Sequence, residues 1–75
     1  MTTRYVVHAS GISWGTVYAH LRNGTLRGEQ NENGRWHVDL GEFLQWEEWA
    51  WSSGRFLMHS PSWAQGYLEF AGIKE

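Results

Sequence analysis

Apolar side chains recur along this chain at spacings that change from one stretch to the next. Tyr5 to Ala9, with Val6, Val7 and Ala9, has room only for a short first helix. Gly11 breaks it, because glycine accepts the positive-φ backbone of a tight inter-helix turn, and Ile12 is expected to point back into the core. Ser13 is placed as an N-cap, its hydroxyl accepting a free backbone N–H of the next turn. A second helix then runs from Trp14 to about Arg22, with Val17 and Leu21 spaced i, i+4 on its buried side, and Asn23-Gly24 ends it.

From Leu26 to Val38 the helical spacing is lost. Asn33-Gly34 is a hairpin turn signal, and the flanking "RGEQ" and "RWHV" are short enough for a two-stranded wing from Glu29 to His37. Asp39 follows as a second N-cap, with Glu42 three residues on to complete a capping box. The helix "LGEFLQWEEWAW" sets Leu40, Phe43, Leu44, Trp46 or Glu47, and Ala50 along one stripe, and Ser52 to Gly54 stop it. Ser60-Pro61 opens a last helix with Trp63, Tyr67, Leu68 and Phe70 as its apolar positions, which Gly66 weakens by about 1 kcal/mol relative to alanine.

Seventy-five residues allow one small core, and six tryptophans are available to fill it. Trp36 and Trp46 are expected inside. Trp49 and Trp51 cannot share a helix face; either they pack, with Trp63, under the C-terminal segment, or some of them form a protein-binding patch. The chain has no cysteine, and His8, His20, His37 and His59 are scattered without zinc spacing, so no metal or cofactor is expected. No apolar run approaches the roughly 20 residues of a membrane span, so a soluble, cytoplasmic protein is expected. Glu42, Glu47 and Glu48 are read as solvated charge, and no Ser, His and Asp align as a triad, so no enzyme and no small-molecule substrate is expected.

Charge changes the picture through its distribution. The formal net charge is −2, which withholds the usual basic footprint of a nucleic-acid binder. Through Trp36, however, Arg4, Arg22, Arg27 and Arg35 outnumber Glu29 and Glu32, whereas from His37 onward six acids face only Arg55 and Lys74. The basic half is the half with the glycine turn.

Short helix, glycine turn, second helix, hairpin and third helix, in that order, make a winged helix-turn-helix, mainly α with a small β-hairpin (α+β). The expected domain covers residues 1–54, with a C-terminal extension over 55–75 that packs on it or serves protein contacts. "GISWGTVYAHLRNGTL", followed by "GRWHVDLGEFLQW", resembles the phage excisionase and MerR-type helix-turn-helix family across about Arg4 to Trp49. The resemblance implies a duplex DNA-binding protein, an excisionase-like recombination directionality factor or a small transcription regulator. Such a protein would act through cooperative binding and DNA bending, with other copies of itself or a recombinase as further partners. It also implies an exposed recognition side made of Ser13, Trp14, Thr16, His20 and Asn23, with Arg22, Arg27 and Arg35 on phosphates. The alternative is a protein-binding module, a phage-type inhibitor or adaptor, on the same scaffold, with Trp49, Trp51 and Trp63 as its contacts.

Overall fold

The computed structural model describes residues 1–73; Lys74 and Glu75, the end of the expected extension, lie outside them. Four α-helices, α1 (Thr3–Ser10), α2 (Trp14–Asn23), α3 (Leu40–Ser53) and α4 (Pro61–Phe70), surround one core. Between α2 and α3 lies a hairpin of β1 (Glu29–Gln30) and β2 (Trp36–His37). The protein is therefore small, mainly helical and α+β.

Local chemistry accounts for the boundaries. Gly11 adopts φ 75° and closes α1, its N–H donating to the Val7 carbonyl at 2.8 Å. The buried Ser10 hydroxyl donates to the Val6 carbonyl at 2.7 Å and accepts from the Ile12 N–H at 3.2 Å, so the turn is tied on both sides. Ile12 is buried, as expected. Ser13 and Ser60 both cap, accepting from the N–H groups of Thr16 and Trp63, and Pro61 occupies the first turn of α4, where its missing N–H costs nothing.

Asp39 departs from its expected role. It sits at the N-cap of α3 in extended conformation but makes no capping hydrogen bond; its carboxylate lies 3.9 Å from the His37 imidazole instead. The capping box with Glu42 is not formed. The hairpin turn also differs from the two-residue type that Asn-Gly favours. The Gly34 N–H donates to the Asn31 carbonyl at 2.9 Å and the Asn31 N–H to the Arg35 carbonyl at 2.8 Å. Gly34 takes φ 80° while Asn33 has no positive φ, so the loop is a three-residue turn with glycine in the left-handed position. The Asn31 side-chain oxygen accepts from the N–H groups of Asn33 and Arg35 and holds that loop.

Strand register pairs Glu29 with His37 and Gln30 with Trp36, antiparallel. Thr2 forms a bridge with His37, and the Val38 N–H donates to the Met1 carbonyl at 2.8 Å, so the start of the chain pairs with the base of the hairpin.

The core comprises Val6, Ala9, Ile12, Val17, Leu21, Leu26, Val38, Phe43, Trp46, Ala50, Ala64 and Leu68. Trp36 is only half-buried, packed against this cluster rather than within it. Three expected apolar positions fall outside, among them Trp63, half-exposed on α4. Leu44 is 42% exposed, because the side of α3 turned to the core centres on Phe43, Trp46, Glu47 and Ala50 and leaves Leu44 at its edge. Phe70 is 90% exposed, two residues beyond Leu68 and so on the opposite side of α4. The helix α4 packs on α1 and α3, with Tyr67 against the rings of Tyr5 and His8.

The connector between α3 and α4 crosses the first turn: the His59 N–H donates to the Ser10 carbonyl at 2.8 Å. A Cβ at position 11 would meet the His59 ring at 2.9 Å and its backbone nitrogen at 3.1 Å, in a backbone conformation that L side chains resist. Gly11→Ala is accordingly expected to destabilise the protein by about 2 kcal/mol or more, read as a lower urea midpoint. Gly24→Ala, also at positive φ but with open space around its Cβ, should cost less; equal losses would remove the role assigned to the His59 contact.

Candidate nucleic-acid interface

The ten residues of α2 present three edges. Val17 and Leu21 are buried. Trp14, Tyr18 and Arg22 follow at i, i+4 and i+8 on an outer edge, where the Trp14 and Tyr18 rings stack at 5.9 Å with 25° between their planes. Ser13 and Thr16 are engaged with each other, Oγ to Oγ1 at 3.0 Å. Asn23, exposed just before Gly24, uses its side-chain oxygen to accept from the N–H and hydroxyl of Thr25 at 2.9 and 2.6 Å.

His20 is not on the exposed side. Its ring turns between helices, where Nδ1 accepts a hydrogen bond from the Trp46 indole N–H at 3.0 Å. Trp46, Trp49 and Phe56 pack edge-on around it at 5.9, 5.9 and 5.5 Å. The family resemblance implied an exposed His20; three residues after Val17 and one before Leu21, it stands at a boundary of the helix that can fall either way. Trp46 decides it, since a buried indole N–H needs an acceptor. Burial lowers the His20 pKa from its ordinary value. The neutral ring therefore carries its proton on Nε2, leaving Nδ1 free to accept.

Two hollows border α2, and both are lined by Trp36 of the wing. One, of about 360 Å³, is lined by Thr2, Arg4, Tyr18, Gly34 and Arg35 among others, with no acidic residue. The other, of about 590 Å³, brings Arg22 and Arg27 together with Glu29, Asp39 and Glu42. All four arginines are exposed. Among the described residues the only charge pair within 4 Å is His37 with Asp39, so none of these guanidiniums is held by a carboxylate.

Sequence reasoning missed Tyr18, Arg4 and Trp36 as members of this surface. Tyr18 carried a signal, standing four residues after Trp14 and four before Arg22. Arg4 and Trp36 carried none, because their meeting depends on the chain start pairing with the hairpin. Of the three tryptophans put forward for protein contacts, Trp49, Trp51 and Trp63 are 45, 48 and 47% exposed. Trp49 leans on His20 and Phe56, and Trp63 is stacked between His59 at 3.7 Å and Tyr67 at 5.7 Å.

Of the α3 acids read as solvated charge, Glu48 is exposed and Glu42 partly so, but Glu47 is not. It is 3% exposed and its Oε2 has no hydrogen-bond partner among the described residues. Its position four residues after Phe43 and three before Ala50 puts it on the apolar stripe, a signal that was present in the spacing. Burial pushes its carboxyl up to about 7.

Compared with protein families, with curated proteins and with solved structures, the chain matches none. Among the described residues no group of three or more His, Cys, Asp or Glu could hold a metal ion, and no helix is long and apolar enough to cross a membrane.

The Glu47 shift has a definite sign. The unfolded carboxyl releases its proton near 4.5 and the folded one near 7, so stability is full at low pH and falls as pH rises through that interval. Relaxation and water entry around the ionised carboxylate hold the loss to roughly 2 kcal/mol. His20 acts oppositely: its lowered pKa makes stability fall as pH drops below its ordinary value. Glu47→Gln should match the parent at pH 4.5 and exceed it by roughly 2 kcal/mol at pH 8 in urea unfolding. A difference independent of pH would mean that Glu47 is ionised in the fold throughout.

Proposed function

We propose that this protein is a winged helix-turn-helix that binds duplex DNA, with α1 and α2 as the helix-turn-helix and the hairpin as the wing. The observation that carries the reading is the set of four exposed arginines without an ion-pair partner among the described residues, Arg4 and Arg35 in one hollow and Arg22 and Arg27 in the other, both lined by Trp36 between α2 and the hairpin. At ten residues α2 is about 15 Å long, a size that fits a major groove about 12 Å wide. In this reading Trp14, Ser13 and Thr16 lie toward the base edges and Arg22 toward a phosphate. Arg35 reaches the adjacent backbone or minor groove from the wing tip. Asn23 and Arg27 flank the helix exit, and His20 braces the helix from behind.

The role is that of a sequence-preferring architectural factor, excisionase-like, or a small transcription regulator. Three or four phosphate contacts on a chain of net negative charge make weak binding by one copy, so function rests on neighbouring copies or on a larger partner such as a recombinase. Bending the duplex costs a few kcal/mol, which contacts between copies would offset. A second reading, a protein-binding module, is favoured by the half-exposed indoles of Trp49, Trp51 and Trp63.

Fluorescence anisotropy against a mixed-sequence duplex separates the two. DNA binding predicts affinity that falls with salt, and a log–log salt slope that shrinks by about 2 in the Arg4→Ala/Arg35→Ala double variant. Arg27→Ala should matter less, because acids share its hollow. No binding at low salt would sink the DNA reading and direct attention to the tryptophans.

A further inference from the structure

Two guanidiniums, a hydroxyl and two aromatic rings meet where the start of α1 faces the hairpin. The first turn of α1 supplies Thr3 and Arg4, α2 supplies Tyr18, and the hairpin supplies Gly34, Arg35 and Trp36. The hollow between them, about 360 Å³, stands at the small end of the roughly 300–1,000 Å³ range of ligand sites. It has room for one planar ring system and is far too small for a duplex.

Its walls are held in place. Thr2 pairs with His37, and the Val38 N–H donates to the Met1 carbonyl, which fixes the start of α1 against the base of the hairpin. At the tip the Gln30 side-chain amide donates to the Gly34 carbonyl at 2.9 Å, and the Asn31 side-chain oxygen accepts from the Arg35 N–H at 2.9 Å. The backbone that carries Arg35 is therefore set before a ligand arrives, and binding has less to order.

The rings differ in what already covers them. Tyr18 is backed by Trp14, stacked at 5.9 Å. Trp36 packs against the core with part of its surface, lines the hollow with another part, and among the described residues stacks on no other ring. Arg4 and Arg35 have no carboxylate within 4 Å among the described residues, and no acid lines this hollow, whereas three carboxylates line the one beside Arg22 and Arg27. An open indole between two such guanidiniums suits a base with a phosphate on either side. The ring offers stacking that every base accepts, and each guanidinium a fork that matches phosphate oxygens. A base within a duplex is stacked on both faces and cannot lie on Trp36; a base that is unpaired or swung out can.

We propose that this hollow takes one unpaired or extruded nucleotide of the bound DNA, its base on the Trp36 indole and its neighbouring phosphates on Arg4 and Arg35. The Thr3 hydroxyl, donor and acceptor both, is available to the edge of the base. The inference rests on the DNA reading and narrows it: the preferred form of DNA is a duplex with one nucleotide out of the stack, since that base costs least to seat.

Fluorescence anisotropy of the full chain at low salt, with a fully paired duplex and with the same duplex carrying one unpaired thymine, tests it. The expected result is binding of the bulged duplex tighter by about tenfold or more. Trp36→Leu should bring the ratio of the two affinities to about one, and Trp36→Phe, which restores a ring, should keep it well above one. A readout on the unaltered protein needs no variant: 2-aminopurine at the unpaired position should lose emission on binding, because an indole stacked on it quenches it. Equal affinity for the two duplexes overturns the inference and leaves the DNA reading standing. So does a preference that survives Trp36→Leu, since the base would then sit elsewhere, and so does 2-aminopurine emission that holds or rises. Binding to neither duplex overturns the inference and the DNA reading together.

Discussion

The hydrogen bond from the Trp46 indole to the His20 imidazole decides how the outer surface of α2 is presented. It links side chains of α2 and α3, and with the burial of Val17 and Leu21 it sets the roll of α2 about its own axis. With His20 turned toward α3, Tyr18 and Arg22 border the hollows that Trp36 of the hairpin also lines, and Trp14 stacks on Tyr18. The same bond gives the buried indole its acceptor and holds one tautomer of the imidazole, so a polar pair performs a positioning task that apolar contact alone leaves loose.

The surface so formed is uneven in charge. On the Arg4–Arg35 side there are threonines and aromatic rings but no acid, whereas on the Arg22–Arg27 side three carboxylates are close by. A chain whose net charge is negative can therefore offer a polyanion one favourable edge. The acidic residues are concentrated in the second half, away from that edge in sequence, and one of them, Glu47, is withdrawn into the fold altogether.

Much of this was legible from local signals. The glycine turn, the Ser13 and Ser60 caps, the hairpin and all four helices follow from backbone preferences and spacing that operate over a few residues. Three things were not, two of them for a long-range reason and one for a local contact. His20 was assigned outward because nothing near it in sequence announces the Trp46 indole that claims it. Arg4 joined the surface only because Thr2 pairs with His37. Asp39 occupies a cap position without capping, since the imidazole two residues earlier lies beside its carboxylate. Glu47 is a different case: its spacing put it on the stripe, and its charge argued it off. Geometry prevailed, at the cost of a carboxyl that holds its proton nearly to neutrality.

Backbone from the last third of the chain sits directly on the first turn, His59 to Ser10, with the Gly11 Cα beneath the imidazole. That stacking ties α4 to the turn between α1 and α2. Whatever displaces α4 must therefore also work against the turn that joins α1 to α2, so the last third of the chain and the first turn hold or loosen together.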